Sequence, residues 1–372
     1  MTSFLRSSSS SLLLLREAPP KLVLDAREVT TVGGLRTAHH AIQKWARGLV
    51  ENKKGGRLVV LLGDDLVGVR AYCRSVAREV GRRHGATVNV VRPANHGAVP
   101  TIRFLLSERA AMVTRVDLRL RDAPDAPFAD DFDSRLKACL DGDQGNLPEP
   151  TGDAHTDVRG SRILITGAAG GIGSALGSRL EAAGAVVACV DKEVDLRDPH
   201  QAPLEVSRVA YEAFGASPDA IAHCAGITRD RTLAKMSEAE FDDCLQVNYA
   251  APLAIDRLLR PKRSLVFSSI VGIHGNFGQA NYAAAKAALI AYAAAPSVPD
   301  STIRKCIAPG YVLTPMTRNL PFLHRFFAPR LSALGRPVLP EDVAHAAEFL
   351  CSPTSDALQS QTLRVCGGSL IG

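Results

Sequence analysis

Residues 162–177 read RILITGAAGGIGSALG, and this stretch decides the fold. A short apolar run ends on Gly167, which indicates a buried strand leading into a glycine-rich loop. Gly167, Gly171 and Gly173 form the pattern TGxxxGxG, and a helical pattern begins there. Glycines at these places permit a tight turn and let the backbone approach a pyrophosphate, which would lie on the helix N-terminus. The stretch therefore predicts a strand–loop–helix unit that binds a dinucleotide.

An acid at the end of the next strand supports this prediction. VVACVD (186–191) reads as a second buried strand and ends on Asp191, 18 residues after Gly173. A carboxylate there can accept hydrogen bonds from an adenosine ribose and would repel a 2′-phosphate, which favours NADH over NADPH. Lys192 follows directly and could act as a counter-charge, so NADPH also stays possible.

Strand and helix patterns alternate along the rest of the chain. The later strand candidates are AIAHCAG (220–226), SLVFSS (264–269), IRKCIAPG (303–310) and QTLRV (361–365), with helical patterns between them. Such alternation predicts an α/β fold with a doubly wound, parallel, Rossmann-type sheet. The chain has 372 residues, which is long enough for two domains.

Charge divides the chain into parts. Residues 1–121 carry 21 Lys and Arg against 9 Asp and Glu, whereas residues 122–157 carry 2 against 10. We predict a flexible or transit-like segment at 1–20, a smaller α/β domain at 21–121, an acidic linker at 122–159 and a catalytic domain at 160–372. The linker is rich in Pro, Asp and Gly, with one short helix predicted around Phe132–Leu140.

The N-terminal domain resembles the second half of the C-terminal one. FLLSERAAMVTRVDLRL (104–120) aligns without a gap with FLCSPTSDALQSQTLRV (349–365). LVLDA (22–26), RLVVLLG (57–63) and ATVNVV (86–91) read as further strands. We interpret this domain as a degenerate internal copy that has lost its glycine loop. The alternative is that two unrelated strand–helix segments happen to look alike.

A tyrosine and a lysine stand four residues apart in GQANYAAAKAALIAY (278–292). Tyr282 and Lys286 share one face of the predicted helix, so a phenol and an ammonium point into one space. Ser269 lies 13 residues before Tyr282 at the end of a strand, and Asn248 lies on the preceding helix. Taken alone, the spacing also fits a partly buried tyrosine beside a solvated lysine.

With TGxxxGxG upstream, this set resembles the short-chain dehydrogenase/reductase family over residues 160–372. HCAGITRDRTLAKM, SSIVGIHGNFGQANYAAAK, APGYVLTPMT and RVCGG look like 3-oxoacyl-[acyl-carrier-protein] reductases. The N-terminal domain is similar to that of high-molecular-weight members, which carry a degenerate nucleotide-binding domain and act on 3-oxoacyl-CoA.

The resemblance implies a role for each residue of the set. Tyr282 would donate a proton, and Ser269 would hydrogen-bond the developing oxyanion. Lys286 would lower the pKa of Tyr282 and hold the nicotinamide ribose, while Asn248 would hold a proton-passing water. The cofactor contacts implied are Gly167, Gly171, Ile172, Gly173, Asp191, Asp195, Ala225, Gly226, Tyr282, Lys286, Pro309, Gly310 and Thr314.

The function implied is NAD(P)H-dependent reduction of 3-oxoacyl thioesters of CoA or acyl carrier protein, in fatty acid metabolism. One alternative is an oxidoreductase for another keto or hydroxy compound. Another is a non-catalytic partner subunit of a sister reductase or an organelle complex. We expect a homo-oligomer, with no nucleic-acid partner, no membrane span and no metal. Eight scattered cysteines without a CxxC pair indicate a reducing compartment.

The sequence departs from the family pattern in three places. HCAG (223–226) stands where the family has NNAG. Almost nothing remains between Asp191 and Asp195 of the helix and strand usually found there, which would place Asp195 on the adenine. Pro296 falls inside what is usually a long helix, and a proline ends or kinks a helix. Because that helix commonly builds the dimer interface, its interruption bears on the oligomeric state.

Three further segments have two interpretations each. The first sixteen residues hold two arginines, six serines and no acid, which fits a transit peptide for the mitochondrial matrix or another organelle, or a disordered tail of a cytoplasmic protein. Residues 317–334 fit a lid over an acyl chain or an amphipathic helix. Arg74, Arg78, Arg82 and Arg83 fit a face that attracts an acidic carrier or coenzyme A, or a solvated basic face.

Overall fold

The structure of the chain is a computed structural model that describes most of both halves. The residues described are 21–26, 41–43, 45–47, 49, 56–62, 67–92, 98–114, 116–120, 157–295, 301–318 and 332–369. Several predictions therefore lie outside the described residues: the transit-like segment, the linker helix, Pro296, residues 319–331 of the predicted lid, and the side chains of Arg78, Arg82 and Arg83.

The N-terminal half contains a parallel sheet with strands in chain order. Its strands are β1 (Lys21–Ala26), β2 (Arg57–Leu62), β3 (Thr87–Arg92) and β4 (Asp117–Arg119), in the order β1-β2-β3-β4. Two helices follow β2 and β3 respectively, α1 (Val67–His84) and α2 (Ala98–Leu106). A 3₁₀ turn, Glu108–Ala110, leads into β4.

The C-terminal half is built on a six-stranded parallel sheet. The strands are β5 (Arg162–Thr166), β6 (Val186–Val190), β7 (Ala220–His223), β8 (Arg263–Phe267), β9 (Ile303–Pro309) and β10 (Thr362–Val365). Their order is β10-β9-β8-β7-β5-β6, which confirms the doubly wound, Rossmann-type prediction. The chain leaves β5 in one direction to β6 and then returns to its other side at β7. The loop after β5 thus lies at the switch point, where ligands bind in such sheets.

Helices cover both faces of this sheet. They are α3 (Gly171–Ala182), α4 (Gln201–Phe214), α5 (Glu238–Leu245), α6 (Ala251–Leu259), α7 (Val271–His274), α8 (Ala280–Ala294), α9 (Pro315–Arg318) and α10 (Pro340–Cys351). A capping box begins α5, where the Ser237 hydroxyl accepts from the Glu240 N–H and the Glu240 carboxylate accepts from the Ser237 N–H. A π-helical turn, Gln246–Ala250, joins α5 to α6. In the described part of the chain, no helix is long and apolar enough to cross a membrane.

The segment between β6 and α4 is as short as the sequence predicts. Residues 191–200 form turns, so β6 is the edge strand of the sheet. The missing cover shows in Val186, whose side chain is 49% exposed although valine is an apolar residue.

The two halves share one hydrophobic core. Leu118 and Phe104 from the N-terminal half belong to the same buried cluster as Val343 and Phe349 of α10. The rings of Phe104 and Phe349 stack with centroids 4.3 Å apart and planes 8° from parallel. The N-terminal half therefore packs directly on α10 and is an integral part of the folded unit.

Candidate active site

The glycine loop lies against the start of the segment that follows β7. Gly167 has φ of 72°, and a Cβ there would stand 2.5 Å from the Cα of Ala225. A Cβ on Gly173 would collide with the carbonyl oxygen of Gly167. Glycine is therefore required at both positions, by backbone conformation and by close approach. The predicted residues Gly167, Gly173 and Ala225 are brought together.

The N-terminus of α3 opens at this loop. Its N-cap, Gly170, supplies no side-chain hydrogen bond, so backbone N–H groups of the first turn remain available to an anion. Ile172 lies in this first turn. A Cβ on Gly171 would stand 3.0 Å from the Thr314 methyl carbon, so Thr314 lies over the loop. The arrangement forms a cradle of backbone donors with a threonine beside it.

Asp191 lies at the end of β6 and contacts the glycine loop. Its Oδ2 accepts from the Ala169 N–H at 2.8 Å, and its Oδ1 accepts from the Lys192 N–H at 3.0 Å. Each carboxylate oxygen keeps a further lone pair for a ribose hydroxyl. The acid is thus held in place by the loop that it was predicted to accompany.

Asp195 differs in having a strong partner of its own. Arg197 donates to both of its carboxylate oxygens, at 2.8 and 2.7 Å, on the protein surface. These hydrogen bonds lower the pKa of Asp195 to about 2. Any adenine contact of Asp195 would share the carboxylate with Arg197.

Ser269, Tyr282 and Lys286 meet at the carboxyl end of β8. The Ser269 side chain lies close enough to the Tyr282 phenol to lower its pKa, and the Ser269 hydroxyl accepts from the Val271 N–H at 3.1 Å. The Lys286 Nζ lies 5.4 Å from the centroid of the Tyr282 ring. Nζ also donates to the Phe267 carbonyl at 2.8 Å, and Lys286 is only 4% exposed. The lysine is therefore a buried neighbour of the phenol, which excludes the solvated-lysine interpretation.

Burial controls both pKa values of the pair. Desolvation raises the pKa of Tyr282 to about 12, against a smaller lowering by the Ser269 side chain. Desolvation likewise lowers the pKa of Lys286 to about 8. In the protein alone the pKa of Tyr282 is therefore raised overall, because removal of water from the phenolate dominates. That Lys286 and a bound nicotinamide ring together lower this pKa stays a prediction.

Asn248 lies in the π-helical turn, with its amide fixed and its carbonyl unpaired. Nδ2 donates to the carbonyls of Ile227 and Cys244, both at 2.8 Å. Asn248 is fully buried, and its Oδ1 has no hydrogen-bond partner. A Cβ on Gly226 would stand 2.8 Å from this oxygen and 3.4 Å from the Lys286 Nζ. Asn248 Oδ1 and Lys286 Nζ therefore border one polar space, in which Oδ1 can still accept a hydrogen bond.

Pro309 ends β9, and Gly310 follows it beside the last strand. The Gly310 N–H donates to the Val365 carbonyl at 2.9 Å, and the Pro309 carbonyl accepts from the Ile270 N–H at 3.0 Å. These bonds tie the end of β9 to the segment that carries Ser269.

Sequence reasoning missed two buried contacts that support the site. The Ser268 hydroxyl donates to the Lys286 carbonyl at 2.7 Å, which fixes α8 on β8. The His223 Nε2 lies 2.9 Å from an Asp256 carboxylate oxygen, and this carboxylate also accepts from Ser264 and Tyr292. The sequence HCAG singles out His223 as a departure from the family pattern. Its partner Asp256 on α6 could not be identified from the sequence, because the pairing depends on how α6 packs on the sheet. Among the described residues, no His, Cys, Asp and Glu group could hold a metal.

The chain is similar to known reductases over its C-terminal half. The family model described as enoyl-(acyl carrier protein) reductase matches residues 193–369. The chain is 33% identical over 238 residues to the 3-oxoacyl-[acyl-carrier-protein] reductase FabG of Rickettsia conorii, covering 58% of this chain and 99% of that protein. It is 34% identical over 259 residues to the short-chain reductase protein NovJ of Streptomyces niveus, covering 58% and 97%.

A solved structure has the same fold. It is the crystal structure of a protein described as short-chain dehydrogenase/reductase SDR:glucose/ribitol dehydrogenase from Brucella melitensis. The TM-score is 0.54 at 24% identity, covering 57% of this chain and 98% of that one.

Proposed function

The chain belongs to the short-chain dehydrogenase/reductase family, a family of NAD(P)-binding oxidoreductases, and from that premise we propose that it reduces 3-oxoacyl thioesters to 3-hydroxyacyl thioesters. The observation that carries the proposal is the juxtaposition of a hydroxyl, a phenol and a buried ammonium. The Ser269 side chain acts on the Tyr282 phenol and lowers its pKa, and the Lys286 Nζ lies 5.4 Å from the centroid of the same ring. These groups can bind and protonate a carbonyl oxygen.

The residues present fit a dinucleotide. The glycine cradle and the uncapped start of α3 would hold the pyrophosphate, and Asp191 would hold the adenosine ribose. Lys286 has two N–H groups beyond the one given to Phe267, and these would hold the nicotinamide ribose. When bound, the cofactor supplies the hydride that the protein itself lacks.

Tyr282 would act as the general acid. Its raised pKa keeps the phenol protonated at neutral pH, which suits the direction of reduction. The alkoxide that forms from a ketone is a stronger base than a phenolate, so the proton moves downhill to the substrate oxygen. Ser269 would donate a second hydrogen bond to that oxygen as negative charge develops.

Proton return would pass between Lys286 and Asn248. The pKa of Lys286, lowered to about 8, lets the ammonium give up a proton more readily than an exposed lysine. A water placed in the space beside Asn248 Oδ1 would donate to that oxygen and link Lys286 to solvent.

We propose NADH as the preferred cofactor, because Asp191 would face a 2′-phosphate with like charge. Coenzyme A or acyl carrier protein would supply the thioester. We also propose a homo-oligomer that uses α8, which exposes Ala280, Ala284, Ala287 and Ala291 along one side. Small residues at this spacing allow two helices to approach closely, and the molar mass in solution tests this part.

The experiment that tests the function is oxidation of NADH by the purified chain with acetoacetyl-CoA. We expect turnover with this substrate and none without thioester. Turnover on other ketones but not on any 3-oxoacyl thioester would reject the proposed substrate class and support the proposed active site. No turnover on any ketone, with NADH bound normally, would point to the non-catalytic alternative.

A further inference from the structure

The N-terminal half repeats the element order of one part of the C-terminal half. In both, four parallel strands follow one another in chain order, and a helix and a 3₁₀ turn precede the last strand. In the N-terminal half these are α2, Glu108–Ala110 and β4. In the C-terminal half they are α10, Pro353–Leu358 and β10.

The contacts between the two halves are reciprocal. Helix α2 packs against the 3₁₀ turn Pro353–Leu358, and α10 packs against the 3₁₀ turn Glu108–Ala110. Phe104 and Phe349 occupy the same place in the ungapped alignment, and their rings stack on each other. Residues that contact their own counterparts are the mark of a two-fold interface between like subunits.

A buried carboxylate lies at this interface. Glu348 of α10 is 1% exposed and pairs with Arg109 of the N-terminal half at 3.4 Å. Its other oxygen accepts from Arg179 of α3 at 2.6 Å. Since α3 begins at the glycine loop, the N-terminal half is connected by charge to the helix that would hold the pyrophosphate.

A second connection reaches the other end of the site. The Gly367 N–H donates to the Met112 carbonyl at 2.9 Å, and a Cβ on Gly367 would stand 2.7 Å from the Met112 methyl. The neighbouring Cys366 Cα would be 2.9 Å from a Cβ on Gly310. Met112 therefore presses the chain after β10 against Gly310, at the end of β9.

Helix α1 supports the segment that closes over this chain. A Cβ on Gly81 would stand 2.9 Å from the Ala333 carbonyl oxygen. Ala333 and Leu334 in turn donate N–H groups to the carbonyls of Gly368 and Gly367, at 3.3 and 3.2 Å. Two separate points of the N-terminal half thus hold one structure, residues 332–334 and 366–368, which we call the pocket wall.

We propose that the N-terminal half is a built-in partner subunit, which packs across an internal two-fold axis and holds the pocket wall in the shape that the nicotinamide end of the site requires. The proposal rests on the proposed function only in assigning Gly310 to a nicotinamide pocket. Met112 and Gly81 are positioning residues in this scheme, because neither touches the reacting atoms.

Met112→Ala is the first test, with Met112→Leu and Leu58→Ala beside it. Leu58 is fully buried in a core made by the N-terminal half alone, so Leu58→Ala removes comparable packing away from the wall. Hydrogen exchange of residues 361–369 in the cofactor-free protein and the Kd for NADH are the readouts. We expect Met112→Ala to speed exchange of the Gly367 amide about tenfold and to raise the Kd about fivefold. Met112→Leu and Leu58→Ala should stay within about twofold of the parent.

Gly81→Ala is the second test, and it keeps the proposal testable if Met112→Ala fails to fold. Alanine favours a helix over glycine, so α1 itself should stay helical, whereas the Ala333 carbonyl, a backbone group, must move. We expect the Kd for NADH to rise about threefold with the helix content by circular dichroism unchanged, and Arg74→Lys, at an exposed place on α1, to change neither.

The proposal is overturned if Met112→Ala and Leu58→Ala have equal effects on the Gly367 amide, or if neither Met112→Ala nor Gly81→Ala alters NADH binding. Faster exchange at Gly367 in a variant that fails to reduce acetoacetyl-CoA at any concentration would leave this proposal standing and reject the substrate class instead.

Discussion

Helices α1 and α8 show how little separates a structural helix from a catalytic one. Each follows the second of four consecutive parallel strands, and each carries a tyrosine, Tyr72 in α1 and Tyr282 in α8. Four residues later α1 has Val76, which is buried in an apolar core, whereas α8 has the buried ammonium of Lys286. Burial of a valine side chain stabilises the fold, whereas burial of a lysine ammonium destabilises it because the charge loses its water. The chemistry therefore resides in one costly residue and its surroundings, on an otherwise shared scaffold.

The largest expected effect comes from removing the phenol on one helix and then on the other. Tyr282→Phe deletes the proton donor and leaves the cofactor cradle intact, so we expect kcat on acetoacetyl-CoA to fall by on the order of 10² or more. Tyr72→Phe is the matched control and should keep the parent rate. Steady-state kinetics with both variants would refute the assignment if Tyr282→Phe retains most of its turnover.

The next effect separates stability from activity at Lys286. Its pKa is about 8 in the folded chain against 10.5 for an ordinary lysine, so the folded chain binds fewer protons between these values. Stability from this group therefore rises with pH in that window, and the penalty is full below pH 8. We expect Lys286→Met to raise the free energy of unfolding by roughly 1–3 kcal/mol at pH 7, while activity is lost.

Urea unfolding at pH 7 and above pH 10.5 measures this, because the gain should vanish at the higher pH. The reverse exchange at the corresponding position of α1, Val76→Lys, should lower the free energy of unfolding by roughly 2–4 kcal/mol and should not create reductase activity. A Lys286→Met protein that is less stable than its parent at pH 7 would contradict the penalty.

A smaller effect concerns the glycine loop, for which residues 1–121 have no equivalent in sequence. Asp191→Ala removes the carboxylate that contacts Ala169, so a 2′-phosphate would meet less negative charge. We expect the ratio of kcat/KM for NADPH to that for NADH to rise about tenfold. Asp198→Asn, farther along the turns that follow β6, is the control. An unchanged ratio would mean that Asp191 does not touch the ribose.

The smallest effect tests the basic composition of the N-terminal half. Exchanging Arg78 and Arg82 for Glu should lower kcat/KM for thioesters about threefold at low salt, with little change in kcat. The difference should shrink as ionic strength rises, because salt screens steering. Equal kcat/KM for variant and parent at low salt would leave this half without a role in attracting substrate.

Local patterns predicted the strands and the glycine loop, because a buried parallel strand is an apolar run and a tight turn needs glycine. RILITG and VVACVD appear as β5 and β6 almost to the residue. The spacing of Tyr282, Lys286 and Ser269 also predicted that these residues lie close together. The raised pKa of Tyr282 could not be predicted from the sequence, since it depends on how much water the folded protein excludes. The contact of Met112 with Gly367 joins residues far apart in sequence, and the pairing of His223 with Asp256 depends on where α6 lies on the sheet.

Covalent attachment of the N-terminal half changes how its contact with α10 responds to dilution. Two separate subunits joined through a pair such as Phe104 and Phe349 would part as protein concentration falls. In one chain the second surface is present at an effective concentration on the order of millimolar, whatever the amount of protein. The interface therefore stays formed within each molecule. The pocket wall that depends on it keeps its shape at nanomolar as well as at micromolar protein.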